Sequence, residues 1–281
     1  MSKTTTEAPS RAFEMTLDLA ASPEDVWRAL TVAEELVRWF PVSAEVTPGP
    51  GGSMVWSWGE NWDWVTRIEA WEPGRRLRLV QEDARPYDAE GRPVPDGQAA
   101  PARIAIEFTL ESHRGQTRLR LVHSGFGRGA AWDDEVEGIT EGWQAELASL
   151  RHYLERHRGR DRAFRIAWRT TSLSREEAWK RLVGAGGFEV SPAGVKAGQP
   201  YNVLVPGGER LSGIVALHLP CQTLAGTVRE LHDGWFRVLT WSIPGGNTGV
   251  WAGVATYDAD HLRVDEFKAH AEQALRTLFP A

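Results

Sequence analysis

Apolar and polar residues alternate along the chain in two groups of short segments, and each group ends in an apolar pattern with helical spacing. Alternation with a period of two predicts half-buried strands, and in the first group it covers 52–58, 62–68, 77–80, 104–110 and 117–123. The turn residues at 113–116 predict that the strands 104–110 and 117–123 form a hairpin. The helix that follows is predicted from one apolar face, made of Trp143, Leu147, Leu150 and Leu154.

The second group repeats this order. Its predicted strands are 203–205, 214–219, 223–231, 236–241 and 250–257. A last helix carries Phe267, Ala271, Leu275 and Leu278 in line. Within the first group, segment 85–101 lies between the strands predicted at 77–80 and 104–110. It holds four prolines and two glycines, which predicts a long mobile connection without regular structure.

A short helix precedes each group of strands, and the two helix starts are similar. Ser22 and Ser174 lie 152 residues apart, and each is followed three residues later by an acid, Asp25 or Glu177. This spacing predicts a capping box, in which the serine hydroxyl accepts from the amide three residues on and the acid reaches back. Trp27 and Trp179 recur in the same register, which indicates that this pair belongs to the core of the fold.

Length and composition support two domains. A chain of 281 residues is about twice the usual domain size, and the basic, polar run 157–162 is typical of a linker. We therefore predict a disordered N-terminus at 1–10, a first domain at 11–157, a linker at 158–163 and a second domain at 164–281. The two repeats are expected to pack against each other within the chain.

Charge and cysteine content exclude several classes of partner. A net charge of −6 gives little attraction for nucleic acid or for an acidic membrane surface. The single cysteine, Cys221, cannot form an internal disulfide or a cysteine metal cluster. The N-terminus shows no apolar run for export, so a cytoplasmic location is expected. His152 and His157 are five residues apart, a poor ligand spacing on a helix, and we predict neither metal nor cofactor.

Four separated segments resemble one known family in the same order. They are 21–31 (ASPEDVWRALT), Trp39-Phe40, 119–126 (LRLVHSGF) and Gly142-Trp143. This pattern is similar to the activators of the heat-shock-protein-90 ATPase, a family of the SRPBCC or START-like superfamily with the Bet v 1 helix-grip fold. The resemblance covers residues 11 to about 156. In the second half only the opening motif is similar, and the His-x-Gly-Phe and Gly-Trp signatures are absent, which indicates a degenerate second copy.

The resemblance implies an α+β fold of two tandem helix-grip domains. Each would be a curved antiparallel sheet wrapped around a long C-terminal helix, with short helices after the first strand. An apolar ligand usually lies between sheet and helix in this superfamily. The resemblance therefore implies a cavity in the N-terminal domain.

Tryptophan content points to the same region. The chain has 14 tryptophans against 4 tyrosines, which requires either a large core or an aromatic cavity. Aromatic walls with few polar groups suit an apolar or aromatic small molecule. The candidate ligand-binding residues are Trp39, Phe40, Trp56, Trp58, Trp62, Trp64, His123, Phe126, Trp132 and Trp143. The alternative is that these side chains simply fill the core or form a surface platform.

Two polar features accompany the aromatic set. His123 shares a strand face with Leu119 and Leu121, so it is the candidate polar anchor, or else a hydrogen-bonded structural residue. The acids Asp133, Asp134, Glu135, Glu137 and Glu141 precede or open the long helix. There they favour a helix start, or they recognise a cationic partner or guard the mouth of the cavity.

Non-catalytic binding of a small apolar or aromatic molecule is the function we expect from these residues. The chain contains no nucleophile elbow, Walker loop or His-Glu-x-x-His motif. An alternative is a cyclase, aromatase or hydrolase of the same superfamily, with His123 or an inward carboxylate as acid or base. A second alternative is a co-chaperone role, which the family resemblance implies.

Overall fold

A computed structural model describes residues 11–59, 63–88, 92–95, 99–243, 246–257 and 261–280. The predicted disordered segment 1–10 lies outside these residues. The described chain forms two antiparallel sheets of seven strands each, and each sheet is followed by a long helix. This is the predicted tandem helix-grip architecture.

The first sheet and its helices occupy the first half of the chain. The strands are β1 (Arg11–Leu19), β2 (Ser43–Thr47), β3 (Ser53–Ser57), β4 (Asp63–Glu72), β5 (Arg76–Ala84), β6 (Ala102–His113) and β7 (Gln116–Phe126). The helices are α1 (Pro23–Thr31), α2 (Ala33–Leu36), α3 (Ala130–His152) and a π-helix (Tyr153–His157). In space the strands run β1, β7, β6, β5, β4, β3, β2, so β7 returns beside β1.

The second half repeats the order after the predicted linker. Its strands are β8 (Ala163–Thr171), β9 (Glu189–Ser191), β10 (Pro200–Leu204), β11 (Arg210–Leu219), β12 (Thr223–Val228), β13 (Gly234–Ile243) and β14 (Asn247–Thr256). Its helices are α4 (Arg175–Val183), a 3-10 turn (Arg229–Leu231) and α5 (His261–Leu278). The strand order β8, β14, β13, β12, β11, β10, β9 matches that of the first sheet.

Both predicted helix caps are present. Ser22 accepts a hydrogen bond from the Asp25 amide at 3.1 Å, and Ser174 accepts from the Glu177 amide at 3.3 Å. The two acids do not accept from the serine backbone N–H groups, as a capping box would have it. Their carboxylates accept instead from the serine hydroxyls, at 2.8 Å for Asp25 and at 2.9 Å for Glu177. The equivalent tryptophans Trp27 and Trp179 are both buried, as their register predicted.

Helix α3 packs one face on the first sheet. Trp143, Leu147 and Leu150 join the core formed by the inward residues of β5, β6 and β7. The predicted apolar face therefore lies where the spacing placed it. The helix starts thirteen residues before Trp143, at Ala130, because its first turns pack on a separate aromatic cluster around Trp132 and Phe126.

The second sheet is buried on both faces. Its inner face packs against α5 through side chains such as Phe236 and Phe267. On the outer face, Trp235 clusters with Ala225 and Ala255, and Ala148 of α3 packs against them. Helix α3 therefore lies between the two sheets, and the second half covers one side of it.

The connection between β5 and β6 is irregular, as predicted, but parts of it belong to the core. Val94 and Ala99 are buried and pack with Trp132. A single bridge pairs Tyr87 with Pro93. The described part of this connection thus closes over the aromatic cluster at the start of α3.

Candidate functional site

A cavity of about 660 Å³ lies at the junction of the two halves. We call it the junction cavity. The first sheet and α3 between Trp132 and Ser149 line one side, and the outer face of the second sheet lines the other. Of the 13 tryptophans that the structure describes, eight contribute to its wall, namely Trp39, Trp58, Trp64, Trp132, Trp168, Trp235, Trp241 and Trp251. Such a wall offers extended aromatic faces on both sides of a bound molecule.

Glycines make the second-sheet side of the wall flat. A side chain at Gly249 would meet the indole of Trp241 at 2.2 Å, and one at Gly253 would meet the indole of Trp251 at 2.3 Å. Gly249 is also the cross-strand partner of Trp241. The two indoles therefore lie over backbone that carries no side chain, and the space beyond them stays open.

On the first-sheet side the wall is a chain of aromatic contacts. Phe40 stacks on Trp39 at 5.0 Å and meets the edge of Trp58 at 5.1 Å between ring centroids. The Trp64 indole N–H donates to Gln81 Oε1 at 2.6 Å, which satisfies its donor. Trp132 donates to the Ala100 carbonyl at 3.1 Å, and its ring lies where a side chain at Gly127 would be. These contacts hold the side chains in position without a ligand.

The ten candidate residues from the sequence separate into two groups. Trp39, Phe40, Trp58, Trp64 and Trp132 line the junction cavity. The residues packed in the core instead of along the wall are Trp56, His123, Phe126 and Trp143, whose exposed fractions are 1%, 0%, 4% and 3%. Trp62 lies outside the described residues.

His123 lies deep in the aromatic core. Its Nδ1 accepts a hydrogen bond from the Trp143 indole at 3.2 Å, and its ring is 4.6 Å from Phe126 and 5.7 Å from Trp64. Burial lowers its pKa to about 3, so the imidazole is neutral at physiological pH. The Trp143 bond implies that the proton is on Nε2, which has no hydrogen-bond partner among the described residues. A buried imidazole of this pKa is poorly suited to proton transfer near neutral pH.

Periodicity and motifs did not identify four tryptophans of the cavity wall, namely Trp168, Trp235, Trp241 and Trp251. They lie on β8, β13 and β14, and their side chains all point to the outer face of the second sheet. The pattern of β13 carries a signal, because both alternating sets of this strand are largely apolar. Such a strand is buried on two faces, which implies a partner layer outside the sheet.

Two ion pairs cross the junction beside the cavity. Glu146 of α3 pairs with Arg237 of β13 at 2.6 Å, and both side chains are largely buried. Glu141 pairs with Arg175 at the start of α4, and Glu137 lies 3.3 Å from the same guanidinium. Burial raises the pKa of both Glu146 and Glu141, against the opposing effect of their arginines. The predicted acidic cluster thus partly serves to join the halves.

The linker strengthens the same junction. Arg162 donates to the carbonyl oxygens of Val37, Phe40 and Pro41 at 2.9, 3.3 and 2.8 Å. Its guanidinium also lies 4.4 Å from the Phe164 ring centroid, within the range of a cation–π contact. The segment that contains Phe40 is therefore tied directly to the second half.

Glu135 is a carboxylate of the cavity wall whose ionisation changes near neutral pH. It is half-buried one turn after Trp132, on the side of α3 that lines the cavity. Burial raises its pKa to about 7, although a hydrogen bond from the Tyr87 backbone N–H opposes the shift. The junction cavity therefore combines aromatic walls with a carboxyl group whose charge changes near neutral pH.

Each half is a helix-grip domain, in which an antiparallel sheet holds a long C-terminal helix. Residues 20–155 match the family model described as "Activator of Hsp90 ATPase homolog 1-like protein". The match covers 136 of 281 residues and ends before the second sheet. No curated protein sequence matches the chain.

Several solved structures are similar to the chain. A protein from Mesorhizobium loti covers 53% of this chain and 99% of its own, with 24% identity and a TM-score of 0.43. The Aha1 dimer from Colwellia psychrerythraea covers 53% and 99%, with 20% identity and a TM-score of 0.40. DynU16, from the dynemicin biosynthetic locus, covers 96% of both chains, with 16% identity and a TM-score of 0.42. At these low identities and TM-scores the likenesses carry no argument about activity.

Among the described residues, none of the helices is long and apolar enough to span a bilayer.

Proposed function

We propose that the protein binds a small, predominantly aromatic molecule in the junction cavity without transforming it. The observation that carries the proposal is the wall itself, in which eight tryptophans surround about 660 Å³. Ligand sites in proteins typically enclose about 300–1,000 Å³ and are lined mainly by apolar and aromatic side chains.

The charged groups of the wall support an apolar ligand. Arg237 is engaged by Glu146, and Arg162 by three carbonyl oxygens. These internal contacts occupy most donors of the two guanidinium groups, and Nε of Arg237 is the donor that stays buried without a partner among the described residues. A charged ligand would therefore find little to bind at either group. The free energy of binding would therefore come mainly from apolar surface removed from water and from ring contacts with the indoles.

The second half has a direct role in this proposal. It supplies Trp168, Trp235, Trp241 and Trp251, which form half of the tryptophan wall. The first helix-grip domain alone would leave its side of the cavity open to water. A degenerate second copy that kept its sheet and used the outer face as a lid would explain why the two halves occur in one chain.

A variant that fills the cavity tests the proposal. Leu239 lines the cavity from β13 and is half-buried. We expect Leu239→Trp to weaken binding of the neutral fluorescent probe N-phenyl-1-naphthylamine by at least about tenfold, because the added indole occupies the space. The measurement is the rise in probe fluorescence, together with quenching of the intrinsic tryptophan fluorescence.

The matched control is Ile214→Trp. Ile214 is 44% exposed on β11 and does not line the cavity, so its substitution adds the same indole elsewhere and should leave the affinity unchanged. The proposal fails if Leu239→Trp binds as tightly as the wild type, or if the wild type binds no neutral aromatic compound.

Glu135 makes a separate prediction about charge. As the pH rises through about 7, its carboxyl loses a proton and the wall gains a negative charge. A permanently cationic aromatic probe such as ethidium should therefore bind more tightly at pH 8 than at pH 6, whereas the neutral probe should change little. Titrations at both pH values check this, and Glu135→Gln should abolish the difference. An equal gain in the Gln variant would show that another group is responsible.

A further inference from the structure

A second polar cluster lies at the junction, apart from the cavity. His152 and His157 each place Nε2 2.8 Å from the backbone carbonyl oxygen of Asp233. The Asp233 carboxylate lies 3.9 Å from His157 Nε2. Each of the three side chains offers one atom that could bind a metal ion, and these three atoms lie within 4.8 Å of one another. None of the three residues lines the junction cavity.

The π-helix explains why two histidines five residues apart meet. On an α-helix, residues i and i+5 point about 140° apart, which is why the spacing appeared unsuited to a shared ligand. The chain instead forms a π-helix at Tyr153–His157, in which hydrogen bonds run from i to i+5. The two imidazole centroids consequently lie 4.8 Å apart on one side of the helix end.

Neighbouring rings hold both imidazoles in place. His157 stacks on Tyr257 with 4.1 Å between centroids and an interplanar angle of 5°. His152 packs against Trp235 at 5.0 Å. Both histidines are buried, with exposed fractions of 7% for His152 and 4% for His157. The entropy lost on binding a shared ligand is therefore small, because the rings are already ordered.

The third residue comes from the second half. Asp233 follows the 3-10 turn and precedes β13, and it has a left-handed backbone with φ of 63°. This conformation directs its carbonyl oxygen toward both Nε2 atoms. Its carboxylate is partly exposed and lies 3.8 Å from the guanidinium of Arg156, which is itself exposed.

We propose that His152, His157 and Asp233 bind a divalent first-row transition-metal ion that joins the two halves of the chain. The Asp233 carbonyl oxygen lies 2.8 Å from each Nε2, and at the usual metal–nitrogen distance of about 2.0–2.1 Å such a separation subtends an angle of roughly 90°, as neighbouring ligands of an octahedral ion do. Imidazole nitrogen with oxygen donors suits Zn²⁺, Ni²⁺ or Co²⁺ better than Mg²⁺ or Ca²⁺. The ion would take the place of the two N–H donors now directed at this carbonyl, which would become one oxygen ligand. The carboxylate lies 3.9 Å from His157 Nε2 and would move toward the ion to supply a second oxygen.

The binding should be moderate in strength. A metal-bound histidine normally donates its other ring N–H to an acceptor. His157 Nδ1 is buried and has no hydrogen-bond partner among the described residues. The ion would thus act as a reversible clamp between the end of the π-helix and the turn before β13, and would stabilise the folded chain by mass action.

Cobalt binding to the untagged full-length chain, freed of metal with a chelator, is the test. We expect one Co²⁺ per chain, with visible d–d absorption that reports nitrogen coordination. At a hundredfold excess of Co²⁺ over its Kd, the Tm should rise by about 5 °C. Zn²⁺ should remove the cobalt absorption by competition, and Mg²⁺ should not.

Two substitutions locate the site. His152→Gln removes one nitrogen ligand, and Asp233→Asn removes the carboxylate while asparagine still tolerates the left-handed backbone. Each should weaken Co²⁺ binding at least about tenfold, with folding checked by circular dichroism. The exposed His270 on α5 is the control, and His270→Gln should bind as the wild type does. The proposal is overturned if the wild type shows no cobalt absorption, or if both site variants keep wild-type affinity.

Discussion

Replacing Arg237 by methionine should lower the free energy of unfolding by about 3 kcal/mol. Arg237 pairs with Glu146 at 2.6 Å, and the exposed fractions of the two side chains are 12% and 16%. Its removal leaves a carboxylate without a partner between α3 and the second sheet. Protonation of Glu146, whose pKa burial already raises, would recover part of this loss.

The double variant Glu146→Met/Arg237→Met separates the unpaired charge from the loss of the pair. Replacing a buried ion pair by two apolar side chains is often close to neutral, so the double variant should be nearly as stable as the wild type. Arg165→Met is a surface control, because its pair with Asp265 is more exposed, and should change stability by less than about 1 kcal/mol. Urea denaturation at pH 7 measures all four proteins. Equal losses in the single and double variants would contradict the prediction.

Acidification should cost about 2 kcal/mol of stability through His123 alone between pH 7 and pH 5. Burial lowers the folded-state pKa of His123 from 6.5 to about 3. The unfolded chain therefore takes up a proton at this residue before the folded chain does. The contribution is fully present above pH 6.5 and is lost as the pH falls toward the folded pKa.

His123→Phe tests this dependence. The new ring would pack among Phe13, Trp64 and Phe126, but Trp143 would lose its acceptor, so the variant starts from a lower stability at pH 7. Its loss between pH 7 and pH 5 should nevertheless be about 2 kcal/mol smaller than that of the wild type. Burial also lowers the pKa values of His152 and His157, but both proteins keep these residues. An identical loss in the two proteins would exclude His123 as the source.

Element types were predictable where a single physical pattern decided them. Alternation placed most strands within a few residues, because every second side chain of a strand enters the core. Serine followed by an acid at the third position marked both short helices, since a helix start needs an acceptor for its free amides. These signals are local, and tertiary contacts did not override them.

The elements that were missed lack such a pattern. Strand β2 and strand β9 lie at sheet edges, and the three residues of β9 are too few for a period to show. The early turns of α3 carry acids and glycines among their apolar residues, and their stability comes from packing around Trp132. The π-helix likewise leaves no periodic signature, so the meeting of His152 and His157 could not be foreseen.

The candidate site shows the same division. Aromatic content led to Trp58, Trp64 and Trp132, which lie along the wall of one cavity. It also led to Trp56 on β3 and to Trp143 on α3, whose side chains fill the core. Which indoles face a cavity depends on the curvature of the sheet and on which element covers it. The local alternation of apolar and polar residues predicts neither property.

The amino-acid sequence by itself determined two sheets, two long helices, their order and the family that the first half resembles. Those features follow from periodicity, capping and motifs, which act over a few neighbouring residues. Only the tertiary structure decided that the outer face of the second sheet covers α3, that the wall of the cavity is shared between the halves, and that two histidines meet an aspartate across the junction. The physical reason is that these features depend on how two already folded layers pack, and such contacts join residues far apart in the chain.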